Sequence, residues 1–144
     1  MNIKIRAIRG NIEKHTALLM FLQRKCLPYD EPYDVSVGHW WIAYDGDKPI
    51  GFAGLVRSSS WYDCGYLCRA GVLSAYRGVG VQKKLIAVRV RKAKRLGFKW
   101  VISDTRDNNA SANSLISQGF RMFTPTKPWG YNDTDYWRRR VDAV

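Results

Sequence analysis

The sequence predicts an α/β protein built on a mixed sheet. Three observations lead there. Strand and helix signals run in the order β-α-β-β-β-α-β-α-β-β. The early strands join as hairpins and the later ones as strand–helix–strand units, which mixes antiparallel with parallel pairing. A turn carrying Gly78 and Gly80 follows the fourth strand. A doubly wound nucleotide fold would alternate from the start and carry its glycine turn after the first strand.

Each element has a local reason. Residues 3–8 alternate apolar and polar positions and read as the first strand. Asn11 is the expected cap of a first helix over 12–25, where Leu18, Leu19, Phe21 and Leu22 recur at helical spacing. Pro28 and Pro32 stop that helix, and 28–37 reads as a loop or a short irregular helix. Two β-prone runs, 40–44 and 49–56, flank Asp45-Gly46-Asp47 as a hairpin. A long strand over 61–73 follows, with Tyr62, Cys64, Tyr66, Cys68, Ala70 and Val72 on one face. A basic helix over 81–96 ends at Gly97. Then come a strand at 99–103, a helix at 110–118 capped by Asp107-Asn108-Asn109 and stopped by Gly119, and strands at 120–123 and 133–140 around a Pro/Gly-rich loop.

The 144 residues, 46% hydrophobic, suffice for one core, so a single domain over 1–144 is expected. No apolar run approaches the roughly 20 residues a bilayer requires, so no membrane partner is expected. The opening MNIKIRAIRG alternates and lacks the apolar block of a secretory signal. Cys26, Cys64 and Cys68 are odd in number and form no Cys-x-x-Cys. They predict reduced thiols and a cytoplasmic setting rather than a disulfide framework. Cys64 and Cys68 read as small buried side chains, because no histidine lies nearby to complete a metal site. His15 and His39 stand alone and read as structural.

Charge is the unusual feature. Lys and Arg number 24 against 12 acids, a net +12. Arg77, Lys83, Lys84, Arg89, Arg91, Lys92, Lys94, Arg95 and Lys99 fall in one acid-free block. Such a block attracts a polyanion: nucleic acid, an acidic protein surface or a multiply phosphorylated cofactor.

The most informative stretch is Val72-Leu73-Ser74-Ala75-Tyr76-Arg77-Gly78-Val79-Gly80-Val81-Gln82. A strand ends, a glycine-bearing turn follows, and a helix begins. Unpaired amides at a helix start, aided by the helix dipole, form an anion site. Glycine lets the backbone approach a diphosphate. No Gly-Lys-Ser/Thr follows, so this is not a triphosphatase loop.

This stretch resembles motif A of the GNAT superfamily of N-acetyltransferases, Arg/Gln-x-x-Gly-x-Gly/Ala after a strand ending in Val. Arg77 and Gly80 match, and Gln82 stands where the family has Gly or Ala. Asn108 to Phe120 resembles motif B, with Asn108, Ser111, Gly119 and Phe120 in register. The resemblance implies a mixed, mostly antiparallel sheet flanked by helices, with a splay between the fourth and fifth strands. It implies acetyl-CoA as co-substrate, with no metal, and an amine acceptor attacking directly in a ternary complex. The amides of Arg77, Gly78, Val79, Gly80, Val81 and Gln82 would hold the diphosphate. The main chain of Val72 and Leu73 would pair with the pantetheine arm, and an amide near Val72 would polarise the thioester carbonyl. Asn108 and Ser111 would contact the arm or order water.

The family's acid for the departing thiolate is a motif B Tyr, and Leu115 occupies that place here. Ser114, Tyr131 and Tyr136 are the substitutes. Asp104 and Asp63 are the candidate bases. Arg89 falls within the apolar arc of its helix and should pair with a carboxylate or snorkel. The excess charge favours an acidic or nucleic-acid-linked acceptor. It also sustains an alternative, a basic nucleic-acid-binding module with a degenerate acetyl-CoA site.

Overall fold

The computed structural model describes residues 1–9 and 11–142. Seven strands form one sheet: β1 (Ile3–Ile8), β2 (His39–Asp45), β3 (Lys48–Arg57), β4 (Cys64–Val72), β5 (Trp100–Arg106), β6 (Arg121–Phe123) and β7 (Thr134–Arg140). Three α-helices flank it: α1 (Glu13–Cys26), α2 (Val81–Arg95) and α3 (Asn109–Ser117). The strands lie in the order β1-β2-β3-β4-β5-β7-β6. Every pairing is antiparallel except β4 with β5. The α/β class and the element order match the sequence expectation. Among the described residues no helix is long and apolar enough to cross a membrane.

Burial divides between the two faces. Leu85, Ile86, Val90 and Ala93 of α2 pack on Leu55, Val101 and Trp137 of the sheet. Leu19 and Leu22 of α1 pack on Trp40, Ile42 and Phe52 from the other side. Each of the leucines, isoleucines, valines and the phenylalanine among them contributes about 1.5–3 kcal/mol through burial. Gln23, also on α1 and buried, binds both the N–H of Tyr33 at 2.7 Å and its carbonyl at 3.3 Å. That bond pair ties the loop after α1 to the helix.

Three local expectations need correction. Asn11 does not cap α1. The chain first closes a turn from the Ile12 amide to the Arg9 carbonyl, and Ile12 takes the cap position without a side-chain bond. The fourth strand begins at Cys64 rather than Trp61, because Asp63 turns the backbone with φ 52°. The face of β4 is also not continuous. Gly54 of β3 faces Arg69 while Val56 faces Tyr66, so β4 carries one extra residue there. This bulge reverses the alternation. Leu67 joins Ala70 and Val72 in the α2-side core, and Cys68 packs toward α1.

The splay decides where a site can form. β4 pairs with β5 only through Cys64–Trp100, Gly65–Val101 and Tyr66–Ile102. β5 meanwhile pairs with β7 along all seven of its residues, Trp100 to Arg106. From Leu67 onward, β4 therefore has no sheet partner on its β5 side, and a cleft opens between the strands.

Candidate active site

The turn leaving β4 runs through a short 3-10 segment, Ser74–Tyr76, into Gly78 (φ 79°) and Gly80 (φ 87°). Any other residue would be strained in this left-handed region. A Cβ built on either glycine meets nothing within 4 Å, so the space before the turn is open. Gly80 caps α2 with no side-chain bond. Among the described residues, the amides of Gly78 through Lys83 find no protein partner. Of the six amides expected to hold a diphosphate, that of Arg77 is the one with a protein partner among the described residues. The Arg77 amide already donates to the Ser74 carbonyl at 3.3 Å, and its Nε donates to the Val72 carbonyl at 3.1 Å. Arg77 closes the end of β4.

The turn opens into a groove of about 480 Å³. Ala70, Gly71 and Val72 form one wall, and Asn108, Ser111 and Ser114 the other. Leu73 leaves the wall, correcting its expected pairing role: its amide donates to Ile50 at 2.8 Å, and its carbonyl accepts from Tyr76 at 2.9 Å. Asn108 caps α3 through Oδ1, which accepts the Ser111 amide at 3.0 Å. Val79 is half exposed, at 48%.

A second cavity, about 550 Å³, fills the opening between β4 and β5. Leu27, Ala70, Gln82, Ser111 and Ser114 line both cavities, which therefore adjoin. Asp104 stands in this chamber. Its Oδ2 accepts Tyr66 Oη at 2.6 Å and Trp129 Nε1 at 2.9 Å. Burial, then the adjacent Asp104 carboxylate, push the Tyr66 phenol well above its ordinary pKa. Tyr66 stays protonated and donates.

The candidate acids occupy different places. Ser114 lies where the two cavities meet. Tyr131 is 71% exposed at the rim, under the Arg106 guanidinium at 4.3 Å. Tyr136 is buried behind Trp129, ring centroids 4.6 Å apart, and its hydroxyl accepts the Gly130 amide at 2.8 Å. Leu115 is buried in the core. Asp63 sits in the turn before β4, where its carbonyl accepts the Lys99 amide at 2.8 Å. It is removed from the chamber, and so from the candidate bases. Tyr66 and Trp129 are the site residues that sequence reasoning missed. The only signal was their type, since neither belongs to a motif.

Arg89 does not snorkel, and among the described residues it meets no carboxylate. It is 3% exposed, and it donates to the carbonyls of Leu85 at 3.0 Å and Gly54 at 3.3 Å. Burial lowers its pKa to about 10, so it remains charged near neutrality. The other basic residues of α2 fare differently. Lys83, Lys84, Arg91, Lys94 and Arg95 are exposed, and no ion pair among the described residues involves them. Of these five, Lys83 lines the groove. Burial raises Cys64 to about 12 and Cys68 to about 11, so both are thiols and neither is a nucleophile. No group of three or more potential metal-binding side chains occurs among the described residues.

The site thus combines an open glycine turn at a helix start, a groove along a half-unpaired strand and an adjoining chamber that holds a carboxylate. Residues 12–120 match the acetyltransferase (GNAT) family, and the chain belongs to that family. It is an acetyltransferase, and the family's donor is acetyl-CoA. No curated protein matches it significantly. Solved structures share the fold at low identity. The IAA acetyltransferase of Bacillus cereus is 19% identical, with TM-score 0.76, covering 97% of this chain and 100% of its own. The ribosomal-protein-S18-alanine N-acetyltransferase of Escherichia coli is 15% identical, with TM-score 0.74, covering 99% and 96%. A Bacillus subtilis acetyltransferase in complex with CoA is 18% identical, with TM-score 0.74, covering 97% and 99%.

Proposed function

We propose that the protein transfers an acetyl group from acetyl-CoA to a primary amine by direct attack, with Asp104 as the base. The groove fits the donor. Open space before Gly78 and Gly80, with unpartnered amides from Gly78 to Lys83, suits a diphosphate. On the β5 side of β4 the Ala70 main chain has no strand partner and suits an extended amide arm, while the Val72 carbonyl is held by Arg77. Acetyl-CoA, when bound, supplies an activated thioester carbonyl.

The chain's own residues do the rest. Asp104 accepts the proton that the amine must lose before or during attack, directly or through water. Tyr66 and Trp129 fix its Oδ2 and leave Oδ1 for the acceptor. The new N–C bond replaces the C–S bond, and Ser114, or solvent beside it, protonates the leaving thiolate. Free β4 amides in the cleft stabilise developing negative charge on the carbonyl oxygen.

One observation carries this reading: the groove and the chamber share a wall at Ala70, Ser111 and Ser114. Donor and acceptor can therefore meet without leaving either room. A screen of amines, peptides and charged tRNA with labelled acetyl-CoA tests it. Transfer to an amine, abolished in Asp104→Asn, is expected. Acetyl-CoA binding with no transfer to any acceptor would sink it. The degenerate nucleic-acid module rested on the basic helix and Leu115, and an unobstructed diphosphate turn argues against degeneracy.

A further inference from the structure

We propose that the chamber around Asp104 is a cage for a single alkylammonium, so that the acceptor is a monoamine. This rests on the transferase reading above and names its substrate class. Three observations lead to it.

Among the described residues Asp104 has no ion-pair partner. Both of its hydrogen bonds come from neutral donors, Tyr66 and Trp129, and both end on Oδ2. No hydrogen bond among the described residues reaches Oδ1. The arginines that line the chamber with it are held by other acids: Arg69 by Asp30, also in the lining, at 3.1 Å, and Arg106 by Asp133 at 2.8 Å, over the Tyr131 ring. A half-buried carboxylate held only by neutral groups attracts a cation.

Two aromatic rings beside Asp104 suit a cation. Tyr66 and Trp129 line the chamber with their rings near edge-on, at 84° and 6.5 Å. Trp129 is held in place by its Nε1 bond to Asp104 and by Tyr136 behind it. Indole and phenol faces attract ammonium groups and the polarised methylenes beside them.

The opposite boundary limits the charge. Arg89 lines the same chamber from α2, buried and without a carboxylate. A second positive charge on the acceptor would approach that guanidinium at low dielectric. A monoamine is therefore favoured over a diamine.

Calorimetry on the full chain with choline and its neutral isostere 3,3-dimethylbutan-1-ol tests the cage, with and without CoA. Neither probe offers an amine to acetylate. Choline should bind at least tenfold more tightly than the alcohol. Asp104→Asn and Trp129→Leu should each weaken choline tenfold or more, and Trp129→Phe should retain most of the affinity. Acetyl-CoA affinity should not move in any of the three. Equal binding of choline and the alcohol, binding of neither, or unchanged choline affinity in both Asp104→Asn and Trp129→Leu overturns the cage. Choline selectivity in a protein that fails to bind acetyl-CoA would uphold the cage and overturn the transferase reading of the groove.

Discussion

Tyr66 on β4 and Asp104 on β5 join by a 2.6 Å hydrogen bond at the point where their strands part. Tyr66 is the last residue of β4 that pairs with β5. The bond therefore bridges the first open position of the cleft, linking side chains 38 residues apart in sequence. It fixes one carboxylate oxygen and leaves the other facing the chamber.

Removing that bond should slow catalysis more than it harms folding. Tyr66→Phe keeps the ring and loses the donor. With Asp104 as the proposed base, loss of its positioned donor is expected to lower kcat about tenfold or more, within the range for general-base catalysis. Stability should fall by only about 1 kcal/mol. Steady-state kinetics beside urea denaturation separates the two effects, and a wild-type kcat would remove Tyr66 from the site.

Gly78→Val with Gly80→Val places side chains where φ is positive. Strain of about 1–2 kcal/mol per residue is expected. The new side chains project into open space, so the chain should still fold. Acetyl-CoA affinity should fall at least tenfold, read by calorimetry. Unchanged affinity would move the diphosphate elsewhere.

The three candidate acids should separate by kcat. Ser114→Ala is expected to lower it about tenfold with little change in the acceptor KM. Tyr136→Phe leaves the Gly130 amide without its acceptor and loosens the Trp129 loop, so it should raise the acceptor KM. Tyr131→Phe keeps the ring under Arg106 and should match wild type in both constants.

Arg89 is a buried cation with no anionic partner among the described residues, an arrangement that costs stability. Arg89→Met should raise stability by about 1–3 kcal/mol in urea denaturation and lower activity. Arg89→Ala should be less stable than the Met variant, because a cavity replaces the stem. A destabilised Met variant would show that the bonds to Gly54 and Leu85 outweigh the desolvation.

Cys64 and Cys68 give a pH signature. Their folded pKa values, about 12 and about 11, lie above the ordinary thiol value of 9.0. The folded state thus holds these protons more tightly than the unfolded chain. That contribution is whole below pH 9 and is lost as the pH rises through 11 to 12. Stability measured upward from pH 8 should decline past 9, and Cys64→Ala with Cys68→Ala should flatten the decline.

Local patterns in the sequence determined the element order, the glycine turn, the Asn108 cap and the groove lining from β4 and α3. Alternation, helical spacing, glycine stops and a capping side chain act within a few residues, so each is legible along the chain. The same range explains the small errors at Asn11, Trp61 and Arg77. There two local choices compete, and backbone hydrogen bonding in the folded state selects one. Tertiary structure alone decided the chamber. Tyr66, Asp104 and Trp129 meet because β4 gains a residue, β5 turns to pair with β7, and a distant loop folds back. Those contacts depend on strand register and on the splay, and neither leaves a periodic trace in the sequence. Arg89 belongs with them: its place on the helix was readable, but only the packed sheet shows that no carboxylate comes to meet it.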